Sequence, residues 1–598
     1  MTALSIVAGA IALCALALYL CHVIREIGVV TRLAGLRHAR APHVGILARV
    51  ARRTPDRILV ELDAPLDWHA PAAGQMAGSR EWSARAIHDV VCLLAGVLKA
   101  RGVVPNDRVA IYKSNAFDIF LFSAASNWLG AIAAPINANL APAIAGPYIG
   151  RLGASVLVTD RHGLEHLEAA GLQQCAVRTV VVVDALESNV REVPGGPCVV
   201  PLRTLLRDSV AETRHAPCGP DDLAFIFHTS GTTGVPKGVM VAAGGLIEAL
   251  RSVLKFNLVS QRDYAYFALP LNHQVAHLYL YAVMLLGMRT CLGARLDPLH
   301  ALDTIENAKV TAFFGFPITY TKLMAAGADA RDLSSIRIWG TTADASHEVH
   351  QRAFVRHGSF FRRLGIPKEG ALFTDGLGST EVGIAALLRL VTPWTRKFGR
   401  RVGRPTPGGP RVKVVGEDGR PVPKGQPGRL MIKGPAMFRG YWNAHDLLMK
   451  ATRDGWWATG DIVVCLAGGE YVHLDREVDV IRGATHCAYT LPIEEVLLKH
   501  PDVMDVSVFG VPGPNGSEVP AAVVALCPGV AGVTNERLRE AWNAMLPPAD
   551  KLAYVWIEAW SSFPIGATGK TLRRVLRERF SVLPASGVPQ RVITAEDI

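Results

Sequence analysis

The sequence predicts an α/β protein of more than one domain, and three observations carry that reading. Its 598 residues exceed the roughly 250 to 300 at which a single hydrophobic core stops growing. From Arg57 onward, short apolar runs alternate with longer helix-periodic stretches, the pattern of strand and helix in turn. Near Val402 the texture changes to Gly/Pro-rich hairpins, and near Asp475 it changes again.

Taken in order, residues 1–24 contain no Asp, Glu, Lys or Arg, and the run LSIVAGAIALCALALYL has the length that a bilayer of about 30 Å asks of a helix. Nothing basic precedes it, which argues against a signal peptide. The expectation is one transmembrane helix over 1–24, with a buried apolar helix packed on the body as the alternative. Arg25, Arg32, Arg37, Arg40, Arg49, Arg52 and Arg53 follow against only Glu26. Residues 25–55 therefore read as a basic linker on the cytoplasmic side of a single-pass membrane protein.

The body, expected over 56–474, holds the strand run RVAIYK, the helical FDIFLFSAASNWLGAIAA, and the strand runs SVLVTD and TVVVVDA. Its end, VGRPTPGGPRVKVVGEDGRPVPKGQPGRLMIKG, reads as a small all-β unit. Over 475–598, the segments VMDVSVFGV, AAVVALC and LRRVLRERF suggest a compact α+β domain.

Composition excludes several classes. Half the residues are hydrophobic, 19% are charged, and Gly and Pro follow no short period, so the chain is neither disordered nor fibrous. The net charge of +11 is spread out without a basic cluster interleaved with aromatics, so no nucleic-acid partner is expected. An anionic small substrate or membrane face accounts for it equally well. Ten cysteines show neither a CxxC pair nor a zinc-like Cys/His spacing, and reduced thiols are expected.

The strongest local signal is LAFIFHTSGTTGVPKG. An apolar strand runs into a loop where Gly231 and Gly234 permit tight folding, Thr229, Ser230, Thr232 and Thr233 offer hydroxyl donors, and Lys237 supplies charge. That is phosphate-binding chemistry. It is not a Walker loop, because Lys237 follows Pro236 and no Ser or Thr comes next. PIGATGKT contains a GKT but has Pro564 where that motif needs its first Gly.

TSGTTGVPKG closely resembles the signature of the adenylate-forming superfamily, which includes acyl-CoA synthetases, nonribosomal-peptide adenylation domains and firefly luciferase. WLGAIAAPINANL resembles the very-long-chain acyl-CoA synthetase and fatty-acid transport protein branch. The resemblance implies a large N-terminal domain of two αβα subdomains plus a small β-barrel, then a smaller mobile C-terminal domain. Carried over by motif, ALPLNHQVAH places His273 at the family's pocket His, and VTAFFGFP places Gly315 on a strand lining the acyl pocket. Gly340, Thr341 and Thr342 fall on the adenine-contacting segment. DGLGSTEVG aligns Asp375, Gly376, Leu377, Gly378, Thr380 and Glu381 with the aromatic-Gly-x-Thr-Glu motif, Leu377 replacing the usual aromatic. Glu381 would be the Mg²⁺ ligand, a hard oxygen beside phosphates. Asp461 in WWATGDIV would bind ribose, Arg476 in LDREVD would follow it in the nucleotide site, and Lys570 in GATGKTLRR would be the catalytic lysine.

The activity so implied is ATP-dependent conversion of a hydrophobic carboxylic acid, expected to be a fatty acid, to acyl-AMP, followed by thioester formation with CoA. Loading of an acyl-carrier-protein thiol and a noncatalytic membrane binding or transport role are the alternatives. One departure stands out: in IRGATHCAYTLPIEEVL the family's usual Gly falls on Thr485. The resemblance therefore carries adenylation further than transfer to the thiol.

Overall fold

The structure is a computed structural model that describes residues 3–39, 42–185, 190–229, 236–256, 258–295, 297–566 and 570–581. Ser230, Gly231, Thr232, Thr233 and Gly234 lie outside the described residues.

Two sheets with parallel cores build the large domain. In the first, the strands Leu223–Thr229, Ile132–Asn137, Arg108–Lys113, Val156–Thr159, Thr179–Val182 and Cys198–Pro201 lie side by side in parallel. Their residues are nearly all buried, the mark of a sheet covered by helices on both faces. The antiparallel strand Lys237–Ala242 pairs with Leu223–Thr229 in the register Lys237↔Thr229, so the two ends of the phosphate-loop motif stand opposite each other. Helix Ala84–Ala100 shows why such segments become helices. Ser83 caps it by accepting a hydrogen bond from the Ala86 amide at 3.1 Å, and Val90, Leu94 and Val97 bury one flank.

The parallel core of the second sheet runs Leu372–Gly378, Ile338–Thr341, Ala312–Gly315, Tyr264–Ala268, Arg289–Leu292 and Ile58–Leu62. Ile58–Leu62 crosses from the start of the chain to pair with Arg289–Leu292. The expected small β-barrel is an antiparallel set of Arg401–Pro405, Arg411–Val415, Pro427–Lys433, Trp456–Cys465 and Tyr471–Arg476. It continues the second sheet as an open path, not a closed ring among the described residues. Beyond it, the antiparallel pair Val503–Pro512 and Glu518–Leu526, with Tyr554–Ile557 alongside in parallel, packs against helices Thr490–Leu497, Asn535–Asn543 and Arg573–Arg579. The α/β fold with a large N-terminal and a smaller C-terminal domain is thus present.

The N-terminal region corrects two expectations. Residues 25–55 are not a linker: they hold helices Val29–His38 and Gly45–Arg53. The second buries Ile46, Leu47 and Val50 on one face and leaves Arg52 and Arg53 outward, and such an amphipathic stripe docks instead of trailing. Helix Ala3–Glu26 is not a free span. Tyr19 Oη donates to the Leu364 carbonyl at 2.9 Å, His22 Nε2 lies 2.7 Å from the Arg363 carbonyl, and Arg337 Nη2 donates to the Glu26 carbonyl at 2.6 Å. Among the described residues no single helix is long and apolar enough to cross a membrane. The pair Leu13–Glu26 and Val29–His38, bent by 48°, meets the length and composition test together.

Candidate active site

The site lies where the C-terminal ends of the second sheet's parallel strands face the β unit and the C-terminal domain, the usual position for a ligand in an α/β sheet. Two compartments meet there. A polar cleft is bordered by Thr229, Lys237, Thr380, Glu381, Asp461, Arg476 and Lys570. An apolar cavity, with a solvent-accessible volume of about 100 Å³, is walled by Phe256, Leu278, Tyr279, Phe314, Phe316 and Ile338. His273, Phe316, Ala343, Gly378, Ser379 and Thr380 border both compartments.

The cleft's charges are held by pairs that local folding creates. Asp461 and Arg476 sit opposite each other on the antiparallel strands Trp456–Cys465 and Tyr471–Arg476, which puts Arg476 Nε 2.9 Å from Asp461 Oδ1. His473 Nε2 approaches the same oxygen at 3.4 Å. Burial opposes ionisation of Asp461, but Arg476 and His473 outweigh it and hold the carboxyl down at about 2. Glu381 is buried and accepts a hydrogen bond from Tyr441 Oη at 3.1 Å, and Lys237 Nζ stands 5.4 Å from the centre of the same Tyr441 ring. Among the described residues no cluster of three or more metal-ligating side chains exists. A single carboxylate beside a phosphate site is still what Mg²⁺ bound to a nucleotide uses, so Glu381 fits that ion.

Lys570 reaches across from the C-terminal domain. Its Nζ lies 3.0 Å from Asp344 Oδ2 and donates to the Ala343 carbonyl at 3.4 Å. Burial resists ionisation of Asp344, but Lys570, His473 and Arg400 hold its carboxyl far below the usual range. Ala343 adopts a φ of +73°, a left-handed conformation that costs a non-glycine residue on the order of 1 kcal/mol and turns its carbonyl toward the lysine. A second set of contacts docks the same domain. Glu495, on helix Thr490–Leu497, accepts from the Glu348 amide and pairs with His347 Nδ1 at 3.0 Å, near Arg400 at 3.9 Å.

Most of the expected site residues meet here, with three corrections. Asp375 is 1% exposed and borders neither compartment; it accepts from Thr341 Oγ1 at 2.7 Å and Gln351 Nε2 at 2.7 Å, and so braces the turn instead of contacting a nucleotide. Gly340 lies beneath the cavity wall: a Cβ there would stand 2.4 Å from Phe314 Cδ1, so glycine lets that ring lie flat on the strand. Gly315 does not border the cavity, whereas its neighbours Phe314 and Phe316 do. Thr341, Thr342, Gly376 and Gly378 border the cavity, and Leu377 borders the cleft. Sequence reasoning missed Asp344, Tyr441 and His473, each identifiable only through its spatial partner. At the departure from the family pattern, Thr485 is exposed with Oγ1 3.1 Å from His486 Nδ1. Gly483 takes the tight position of that hairpin, since a Cβ there would stand 2.8 Å from the His486 carbonyl oxygen.

Comparison with known proteins agrees with this geometry. Residues 47–442 match the AMP-binding enzyme family and residues 492–570 its C-terminal domain. The chain is 32% identical to a 3-aminoavenalumate diazotase from Streptomyces sp, covering 83% of this chain and 88% of that one. It is 29% identical to a feruloyl-CoA synthase from Amycolatopsis sp, over 82% and 92%. The crystal structure of an anthranilate CoA ligase with anthranoyl-AMP superposes with a TM-score of 0.75 at 22% identity, covering 90% of this chain and 97% of that one. The finer placement in the very-long-chain branch is not supported. The chain therefore belongs to the AMP-binding enzyme family and is an adenylate-forming acid–thiol ligase, whose cosubstrates are ATP with Mg²⁺ and coenzyme A.

Proposed function

We propose that the enzyme activates a compact, hydrophobic, ring-bearing carboxylic acid to its acyl-adenylate and passes the acyl group to CoA. The observation that carries this reading is the meeting of a small apolar cavity with a charged cleft at His273, Phe316 and Thr380. A solvent-accessible volume near 100 Å³ is on the scale of an aryl ring, since benzene fills an apolar cavity of roughly 150 Å³. The fatty acid expected from sequence narrows accordingly to short or cyclic acids. Relatives named for ferulate and anthranilate support the same class.

The acid's oxygen attacks the α-phosphorus and pyrophosphate leaves. Lys570, positioned by Asp344 at the junction, neutralises the charge that accumulates there, while Asp461 accepts from the ribose hydroxyls. Mg²⁺ at Glu381 would screen the phosphates. Pyrophosphate exchange into ATP across a panel of aryl, short aliphatic and long-chain acids tests the reading. Exchange with long-chain acids alone, or with none, would overturn it.

A second reading, conversion of an amine to a diazonium, is supported by the diazotase among the relatives. For that reaction we propose that nitrite takes the place of the acid. Its oxygen attacks the α-phosphorus, the amine attacks the resulting electrophilic nitrogen with release of AMP, and loss of water leaves the diazonium. Nitrite and an aryl amine without CoA would then release pyrophosphate and yield a product trapped by azo coupling. Absence of that product would remove this reading.

We propose, too, that the N-terminal segment holds the enzyme at a membrane with the catalytic body on the cytoplasmic side. Exposed Leu13, Leu16, Leu18, Leu20, Ile24, Val30 and Leu33 support it. Carbonate-resistant association that survives deletion of residues 1–24 would contradict it.

A further inference from the structure

We infer that Gln274 reads a polar substituent on the acid, a ring amino or hydroxyl group that donates one hydrogen bond and accepts another. The inference deepens the proposed activation of a ring-bearing acid and rests on it. Gln274 opens helix Gln274–Leu286, is 3% exposed and borders the apolar cavity. Both its Oε1 and its Nε2 are buried without a hydrogen-bond partner among the described residues.

Four other polar side chains of that wall are engaged. Thr341 Oγ1 donates to Asp375 at 2.7 Å, Thr374 Oγ1 donates to the Trp339 carbonyl at 3.2 Å, and Thr342 hydrogen-bonds the Tyr279 hydroxyl. Ser379 Oγ has no partner among the described residues, and Ser379, Thr380 and His273 also border the polar cleft. Buried polar groups are normally satisfied, so a carboxamide left open on a ligand cavity calls for a ligand group that completes it.

The chemistry of that group follows from the side chain. A carboxamide offers acceptor lone pairs on one atom and two N–H donors on the other. A ring –OH or –NH₂ answers both, whereas a methyl or a bare C–H answers neither. Among the described residues no Asp, Glu, Lys or Arg borders the cavity. A second charge on the acid would therefore be desolvated without a counter-ion, which excludes dicarboxylates and sulfonated acids.

The test is pyrophosphate exchange with matched aryl acids that differ by one amino or hydroxyl substituent, on the full-length enzyme. The wild type is expected to prefer the substituted acid by about tenfold in kcat/KM, the net worth of one intermolecular hydrogen bond. Gln274→Met should bring that ratio to about one by losing the substituted acid, with the KM for ATP unchanged and the melting temperature of the free enzyme held or raised. Gln274→Asn, which keeps the amide and withdraws it, should fall the same way. Equal use of both acids by the wild type, or a preference retained by both variants, would overturn the inference and leave adenylation standing. Exchange with no acid at all would overturn the proposed function itself.

Discussion

The cleft and the cavity are built on opposite plans. In the cleft, charged groups meet charged or hydrogen-bonding partners already within the protein: Asp461 with Arg476 at 2.9 Å, Lys570 with Asp344 at 3.0 Å, Glu381 with Tyr441 at 3.1 Å. The cavity is aromatic and aliphatic, with the unpartnered Gln274 carboxamide in its wall. The difference teaches that the nucleotide half is preorganised for one invariant ligand, where prepositioned charges need no reorganisation during reaction. The acid half leaves its discrimination to ring shape and one polar contact.

Lys570→Ala should break the comparison most severely. Acid-dependent pyrophosphate exchange is expected to fall about 10²- to 10³-fold, the cost of removing one prepositioned charge donor. Thioester formation from a supplied acyl-adenylate should be largely retained; equal loss of both half-reactions would contradict the assignment. Asp461→Ala comes next, raising the KM for ATP by roughly 10-fold to 10²-fold, as expected for one lost charge-assisted contact of about 1.5 to 3 kcal/mol, without altering the choice of acid. The pH dependence has a definite sign. The Asp461 carboxyl is depressed to about 2, so the stability from its pairing is present above the unfolded value near 3.9 and is lost as pH falls toward 2. Acid unfolding of wild type and Asp461→Asn should converge in that window.

Gly340→Ala sharpens the comparison from the other side. With Phe314 only 2.4 Å from the added methyl, the ring must tilt into the cavity, and kcat/KM for the preferred acid should drop about tenfold, within the range for pocket shape changes. The KM for ATP should hold, and a rise there with acid use unchanged would return Gly340 to the adenine-contacting role. Smallest is Glu495→Gln, which weakens docking of the C-terminal domain on His347 and Arg400. A two- to fivefold loss of exchange, about 0.4 to 1 kcal/mol, with thioester formation spared, is the expected split in single-turnover measurements.

What the sequence revealed follows the range of each interaction. Strand and helix alternation is local, so the runs at Arg108–Lys113 and Thr179–Val182 were legible from hydrophobic period alone. Pairing is not local. Nothing in ILVEL tells that Ile58–Leu62 joins Arg289–Leu292 in the second sheet. The same limit applies in the site: Asp461, Arg476 and Lys570 sit in recognisable motifs, whereas Asp344 acquires meaning only when Lys570 arrives from a distant segment. Asp375 belongs to a motif yet faces inward to Thr341 and Gln351, which no local pattern tells. Gln274 beside His273 reads in sequence as an ordinary polar helix start, and only burial without a partner distinguishes it.

Arg337 gives the first helix a role in the integrity of the body. Its guanidinium is 2% exposed, pairs with Asp263 at 2.5 Å, and donates to the carbonyl of Glu26 at 2.6 Å. The last turn of the N-terminal helix is thereby a plug over a buried cation. Shortened versions of the protein made for crystallisation or assay should start no later than residue 25. Cutting a few residues further would leave one buried N–H of Arg337 without its acceptor, beside the pair it keeps with Asp263, and the resulting instability would be easily mistaken for loss of a membrane anchor.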